Sequence, residues 1–141
     1  MSEKLFTSSV TASGGREGHV RSSNGNIDFD TAMPGTPRAE QLPDAVNPEL
    51  LFAAGYSACF DGALQLMARK ERVKLDSEVT ANVSLLKDET DDGFKIAVKL
   101  EVKGTGVDKE TLEGLVHKAH EFCPYSKATR GNVDVILEVI E

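Results

Sequence analysis

Two alternating runs, Ser77 to Lys87 and Phe94 to Lys103, constrain the fold more than any other part of the chain. In the first, Val79, Ala81, Val83 and Leu85 alternate with polar residues; in the second, Phe94, Ile96, Val98, Leu100 and Val102 do the same. Strand side chains point to opposite faces with a period of two, so each run reads as a strand with one apolar face. The acidic segment Asp88 to Gly93 is the turn between them. A hairpin with an apolar face is not stable alone and must be covered by another layer.

Helices are available as that layer. Asn47 is a good N-cap, Pro48 suits the first helical position, and Glu49 favours the positive end of the helix dipole. These signals predict a long helix from Pro48 to about Arg72. Counting about 100° per residue, Phe52, Gly55, Tyr56, Gly62, Ala63 and Leu66 fall on the same side as Cys59. Glycine inside a helix costs about 1 kcal/mol against alanine, so Gly55 and Gly62 imply close packing there, with another helix as the expected neighbour. Asp108 caps a second helix whose Leu112, Leu115, Val116, Ala119 and Cys123 form one stripe. Pro124 ends it directly after the cysteine, which places Cys123 on a buried edge.

The remaining segments are predicted as follows. Lys4 to Ala12 is a strand broken by Gly14-Gly15, and a hairpin joins His19 to Ser23 with Ile27 to Thr31 through Asn24-Gly25, the pair a type I′ turn favours. Ala32 to Val46, with Pro34, Pro37 and Pro43, is an ordered loop. Val133 to Ile140 is apolar on both faces and is expected inside a sheet. Helices isolated between antiparallel hairpins predict an α+β fold over a parallel doubly wound one, as a single domain over residues 1–141.

A chain of 141 residues that is 40% hydrophobic can bury a core without disulfide staples. Its net charge of −7 argues against nucleic acid, which is bound by clustered basic side chains. No signal-peptide pattern opens the chain and no apolar run reads as long enough to cross a bilayer, so the expected compartment is the cytoplasm, without membrane insertion. In that reducing compartment two cysteines suit catalysis or metal binding better than a structural disulfide.

Cys59 and Cys123 are far apart in sequence and form no Cys-x-x-Cys motif, so the residues alone leave inert core thiols and a redox pair both open. A reactive thiol needs a cation beside it. Arg16, in the glycine-rich turn Gly14-Gly15-Arg16-Glu17-Gly18, is either that cation or a solvated turn residue. His117, His120 and Cys123, with Cys59, are the residue types of a zinc site, although steps of three fan around a helix instead of converging. His120 is expected near Cys123 as a packing or capping residue at the helix end.

Two longer motifs narrow these alternatives. Asn47-Pro48-Glu49-Leu50-Leu51-Phe52-Ala53-Ala54-Gly55-Tyr56-Ser57-Ala58-Cys59-Phe60 and the segment from His120 through Cys123-Pro124-Tyr125-Ser126 to Asn132 resemble the two signatures of the organic hydroperoxide resistance (Ohr) family, a branch of the Ohr/OsmC group. The Gly14-Gly15-Arg16 turn and the length agree, and Leu50 stands where many relatives carry Gln. The resemblance implies an α+β fold of antiparallel sheets wrapped around central helices in an intertwined homodimer. It also implies a thiol peroxidase without metal, haem or flavin that reduces organic hydroperoxides and is recharged by dihydrolipoamide or a lipoylated protein. By the same resemblance Cys59 is the peroxidatic cysteine, Cys123 its resolving partner in a disulfide, and Arg16 and Glu49 a charged active-site pair. Phe52, Tyr56, Phe60 and Met67 are candidate apolar walls for an alkyl chain. An OsmC-like peroxidase with a different peroxide preference, and a zinc-binding structural module, are the alternatives. Glu49 and Cys59 lie about 15 Å apart along one helix and about 80° apart around it, so Glu49 is expected to serve the cysteine and the arginine of the other subunit.

Overall fold

The computed structural model describes residues 2–140, and the chain divides between Leu51 and Phe52 into two compact units. In the first, β1 (Val10–Ser13), β2 (His19–Ser22) and β3 (Asp28–Asp30) form an antiparallel sheet in the order β1-β2-β3. The first strand is shorter than the predicted Lys4 to Ala12. Its ladder runs from Val10 opposite Ser22 to Ser13 opposite His19, with one further hydrogen bond from the Ser23 N–H to the Ser9 carbonyl (3.0 Å).

Between β2 and β3, Gly25 has φ +78° but Asn24 does not enter the positive region, so the expected type I′ turn is absent. The loop is built instead on a turn closed by the Gly25 N–H to the Ser22 carbonyl (3.0 Å), with Asn24 Oδ1 accepting from the Asn26 N–H (3.0 Å). The predicted loop from Ala32 contains a short helix, α1 (Pro37–Gln41). Thr36 caps it, its Oγ1 accepting from the Ala39 N–H, and Pro37 occupies the first turn. Threonine followed by proline is a helix-start signal that the surrounding prolines masked.

The long helix α2 (Pro48–Lys70) starts as predicted: Asn47 Oδ1 accepts from the Leu50 N–H at 2.8 Å. It ends two residues early. Arg72 adopts φ +57°, the Arg72 N–H reaches the Arg69 carbonyl (3.0 Å) and the Val73 N–H the Ala68 carbonyl (2.9 Å). This is a Schellman stop with arginine in the position that usually takes glycine.

The second unit carries β4 (Asp76–Asp88), β5 (Gly93–Thr105), α3 (Lys109–Phe122), α4 (Pro124–Thr129) and β6 (Asp134–Val139), with strand order β4-β5-β6. The hairpin is antiparallel as expected. The last strand departs from expectation in two ways: β6 pairs parallel to β5, and among the described residues it is an edge with Ile136 61% exposed. The α3–α4 connection carries the chain back across the sheet, which reverses the direction in which β6 is laid down. The α+β class holds, with a mixed second sheet.

The core of this unit joins Val98, Leu100 and Val102 of β5 to Tyr56, Phe60, Leu64 and Met67 of α2 and to Leu112, Leu115, Val116 and Ala119 of α3. The predicted stripe of α3 is therefore the buried one. On α2, Leu50, Ala54, Ala58 and Gly62 recur every fourth residue as an exposed row. Contrary to the sequence expectation, α2 is long and apolar enough to cross a membrane by length and composition alone. A core helix passes the same test when few charges interrupt it, and here only Glu49, Asp61 and the terminal Arg69 and Lys70 do.

Candidate active site

The candidate residues divide between the two units. In the first, Arg16 sits in a short 3-10 turn, Gly15–Glu17, entered through Gly14 in the left-handed region (φ +77°). Thr31, almost fully buried, holds this turn: its Oγ1 accepts from the Gly18 N–H and donates to the Gly15 carbonyl, both at 2.7 Å. Arg38 adds hydrogen bonds to the carbonyls of Thr31 (2.9 Å) and Gly18 (3.1 Å). Neither Thr31 nor Arg38 carries a sequence signal for this role.

The turn aims Arg16 at Glu49. The two form a fork-to-fork pair, Nη1 to Oε1 at 2.7 Å and Nη2 to Oε2 at 3.0 Å, with the Met33 sulfur 3.6 Å from Nη1. The Arg16 hydrogen bonds hold the Glu49 carboxyl below the usual carboxylate range, and Glu49 in return raises the guanidinium further. Arg16 and Glu49 are thus partners within one chain, which corrects the expectation that Glu49 meets the arginine of another subunit. The helix that carries Glu49 runs from Pro48 to Lys70.

In the second unit α2 presents Cys59, half-buried, towards the corner where α3 ends and α4 begins. Cys123 is the apex of that corner: it is both the C-cap of α3 and the N-cap of α4, and no part of it is exposed. Pro124 ends one helix and starts the next, a second role its predicted stop signal did not include. Both cysteines are free, and the Cys123 thiol donates to the Cys59 sulfur at 3.4 Å.

Burial pushes the Cys59 thiol pKa up, a hydrogen bond from the Tyr125 backbone N–H opposes that, and the neighbouring Cys123 adds to the rise. The Tyr125 N–H is a thiolate-stabilising group that reading the sequence missed, since backbone donors carry no residue signature. The same residue accounts for Gly55. A Cβ there would stand 2.6 Å from Tyr125 Oη, so the close neighbour expected at this glycine is a side chain of α4. Gly62 differs: a Cβ there meets nothing within 4 Å.

Behind the thiols lies a buried polar chain. Ser126 Oγ is 2.8 Å from both Tyr56 Oη and His120 Nδ1, and Tyr56 Oη is 3.3 Å from Thr129 Oγ1. Burial keeps the His120 pKa below its ordinary value, with Arg130 and His117 adding to the effect. His120 is the packing residue near the helix end that its spacing suggested, 6.4 Å from the Phe60 ring. Among the described residues, His117, His120 and the cysteines are not assembled into a metal-holding group. Of the four candidate substrate walls, Tyr56 and Phe60 are fully buried and Met67 nearly so, all within the core, whereas Phe52 is half-buried against Tyr56 and Tyr125.

The α+β fold is matched by known proteins. The profile of OsmC-like proteins fits residues 40–138, and the chain belongs to the OsmC family. It is 66% identical over 141 residues to the organic hydroperoxide resistance protein OhrA of Bacillus subtilis, covering 100% of both chains. It is 56% identical over 135 residues to OhrB of the same organism, covering 96% of this chain and 98% of that protein. The crystal structure of OhrB superposes with a TM-score of 0.92 at 55% identity, covering 97% of this chain and 100% of that one.

Proposed function

We propose that this protein is a thiol peroxidase that reduces organic hydroperoxides to alcohols, acting in the cytoplasm. The observation that carries the reading is the pair of free thiols in contact at 3.4 Å, one half-buried and one buried. It is supported by the names of the relatives, which are organic hydroperoxide resistance proteins at up to 66% identity. The Cys59 thiolate attacks the terminal peroxide oxygen; the O–O bond breaks, the alcohol leaves, and Cys59 becomes a sulfenic acid. Cys123 then attacks that sulfur, water departs, and a Cys59–Cys123 disulfide closes. Dihydrolipoamide or a lipoylated protein returns the pair to dithiol, and no resident cofactor is needed.

Burial raises the Cys59 thiol pKa, and a cation beside the sulfur would favour the reactive thiolate. The Arg16–Glu49 pair is proposed to supply it, with Arg16 also stabilising the departing alkoxide. The protein is proposed to work as a homodimer in which this pair serves the cysteine of the other subunit. The unbroken α2 supports that arrangement, because ten residues of helix separate Glu49 from its own Cys59 by about 15 Å. Phe52, half-buried against Tyr56 and Tyr125, is proposed as the apolar wall for the alkyl chain, while Tyr56, Phe60 and Met67 belong to the core it packs against.

Steady-state kinetics test the reading. Cumene or fatty-acid hydroperoxide with dihydrolipoamide is expected to turn over far faster than hydrogen peroxide, since alkyl burial contributes about 25 cal/mol per Å² that a small polar peroxide lacks. A preference for hydrogen peroxide would point to the OsmC-like alternative. Absence of thiol loss with either peroxide would remove the peroxidase assignment.

A further inference from the structure

The buried hydroxyls near the thiols have no part in the peroxide chemistry above, yet their placement relative to it is specific. Tyr56 lies three residues before Cys59 on α2; His120 and Ser126 lie three before and three after Cys123, on the two arms of its corner. The His120–Ser126 hydrogen bond (2.8 Å) closes the corner, and the Tyr56–Ser126 hydrogen bond (2.8 Å) ties it to the turn of α2 that precedes Cys59. Arg130 Nη2 braces the corner again by donating to the His120 carbonyl at 2.5 Å.

The hydrogen count allows this chain two complete arrangements. Thr129 Oγ1 donates to the Ser126 carbonyl (3.2 Å), which leaves Thr129 only an acceptor for Tyr56. One complete arrangement runs Tyr56 O–H to Ser126 Oγ and Ser126 O–H to His120 Nδ1. The other runs His120 Nδ1–H to Ser126, Ser126 to Tyr56, and Tyr56 to Thr129. Both satisfy every donor, and no buried side-chain N or O among the described residues lacks a partner. Ser126 and Thr129 are also the buried polar residues of the second unit, set in a core otherwise built of apolar side chains. A satisfied buried network fixes one geometry, where apolar residues of similar volume fill the same space without specifying it.

We propose that Tyr56, Ser126 and His120 are positioning residues that set the approach of Cys123 to Cys59 for disulfide closure. The inference rests on the thiol-peroxidase reading but concerns only its second step. In that step Cys59–S–OH and Cys123–SH give the disulfide and water: the S–O bond breaks, the S–S bond forms, and the thiol proton leaves with the hydroxyl. The Cys59 sulfur is reduced and the Cys123 sulfur is oxidised, so no further oxidant enters. The sulfurs must close from 3.4 Å to about 2.05 Å, and misplacement by 1 Å costs such a step about 100-fold.

Ser126→Ala removes the central hydroxyl and leaves both thiols in place. Stopped-flow reaction with one equivalent of cumene hydroperoxide is expected to show sulfenic acid forming within about twofold of the unmodified protein, then disulfide closure slowed about 10- to 100-fold, with closure restored in Ser126→Thr. Closure is measured a second time without peroxide. 5,5′-Dithiobis(2-nitrobenzoate) caps Cys59 as a mixed disulfide, and attack by Cys123 releases the second thionitrobenzoate; that release is expected to slow by the same factor. Tyr56→Phe, which keeps the ring, is expected to repeat the slow release and serves should Ser126→Ala fold poorly. Release at the unmodified rate in the folded variants overturns the proposal, as does parallel slowing of both steps with a lowered Tm, the mark of a merely structural role. If the unmodified protein ignores peroxide while the variants still show slow thionitrobenzoate release, the peroxidase reading fails and the positioning role stands.

Discussion

A reagent entering from solvent meets Cys59 before Cys123, because Cys59 is half-buried and Cys123 has no exposed surface. The expected outcome of mutation follows from that difference. Cys59→Ser abolishes peroxide consumption, whereas Cys123→Ser permits one turnover and leaves a sulfenic acid at Cys59, detected by intact mass and a sulfenate-specific probe. A full single turnover in Cys59→Ser would reverse the roles. Arg16 and Glu49 yield a second prediction at this scale. Glu49 has its folded-state pKa lowered by Arg16, so the stability it contributes is present above the ordinary glutamate value of about 4.3 and is lost as pH falls through the lowered one. Measured from pH 6 down to 3, Tm should fall less steeply in Glu49→Gln than in the unmodified protein. Equal slopes would mean that the pair contributes nothing to acid stability.

Element ends in this chain are set by caps, and one of them is not the best residue for its place. Arg72 holds φ +57° to end α2, a conformation that costs a non-glycine residue about 1 kcal/mol or more. Arg72→Gly keeps the Schellman hydrogen bonds and relieves that cost, so urea unfolding should show a gain of up to about 1 kcal/mol. A loss would mean that the arginine side chain is engaged elsewhere. The cap of α1 works in the ordinary direction, through Thr36 Oγ1, and the corner at Cys123 uses Pro124 to stop one helix and begin another. That corner also sets the buried Cys123 thiol 3.4 Å from the Cys59 sulfur, so the junction of two helices shapes the thiol's surroundings.

At the scale of the molecule, the exposed row Leu50, Ala54, Ala58 and Gly62 on α2 is narrow enough for a second helix to approach closely. A two-fold pairing of α2 with its copy is the arrangement expected under the proposed function. Mixing Glu49→Ala and Cys59→Ser subunits under exchange conditions tests it. If the Arg16–Glu49 pair serves the other subunit's cysteine, each heterodimer regains one intact site; if it serves its own, none does. Heterodimers confirmed by mass that recover no activity would refute the shared site.

The strands of the central hairpin, the start of α2 at Asn47-Pro48 and the buried stripe of α3 were legible in the sequence. Each is written in local periodicity or in a cap whose physics acts within a few residues. The motifs around Cys59 and Cys123 likewise marked the thiols, and with them Arg16 and Glu49, through their likeness to a known family. The contact of thiols 64 residues apart was not legible, nor was the pairing of Arg16 with Glu49 of its own chain. The same holds for the parallel edge position of β6, whose two apolar faces suggest an internal strand while its neighbours are set by the α3–α4 crossover. Ser126, Thr31 and the Tyr125 N–H act through hydrogen bonds to partners distant in sequence. Such partners are chosen by how the layers pack, and only the tertiary structure decides that.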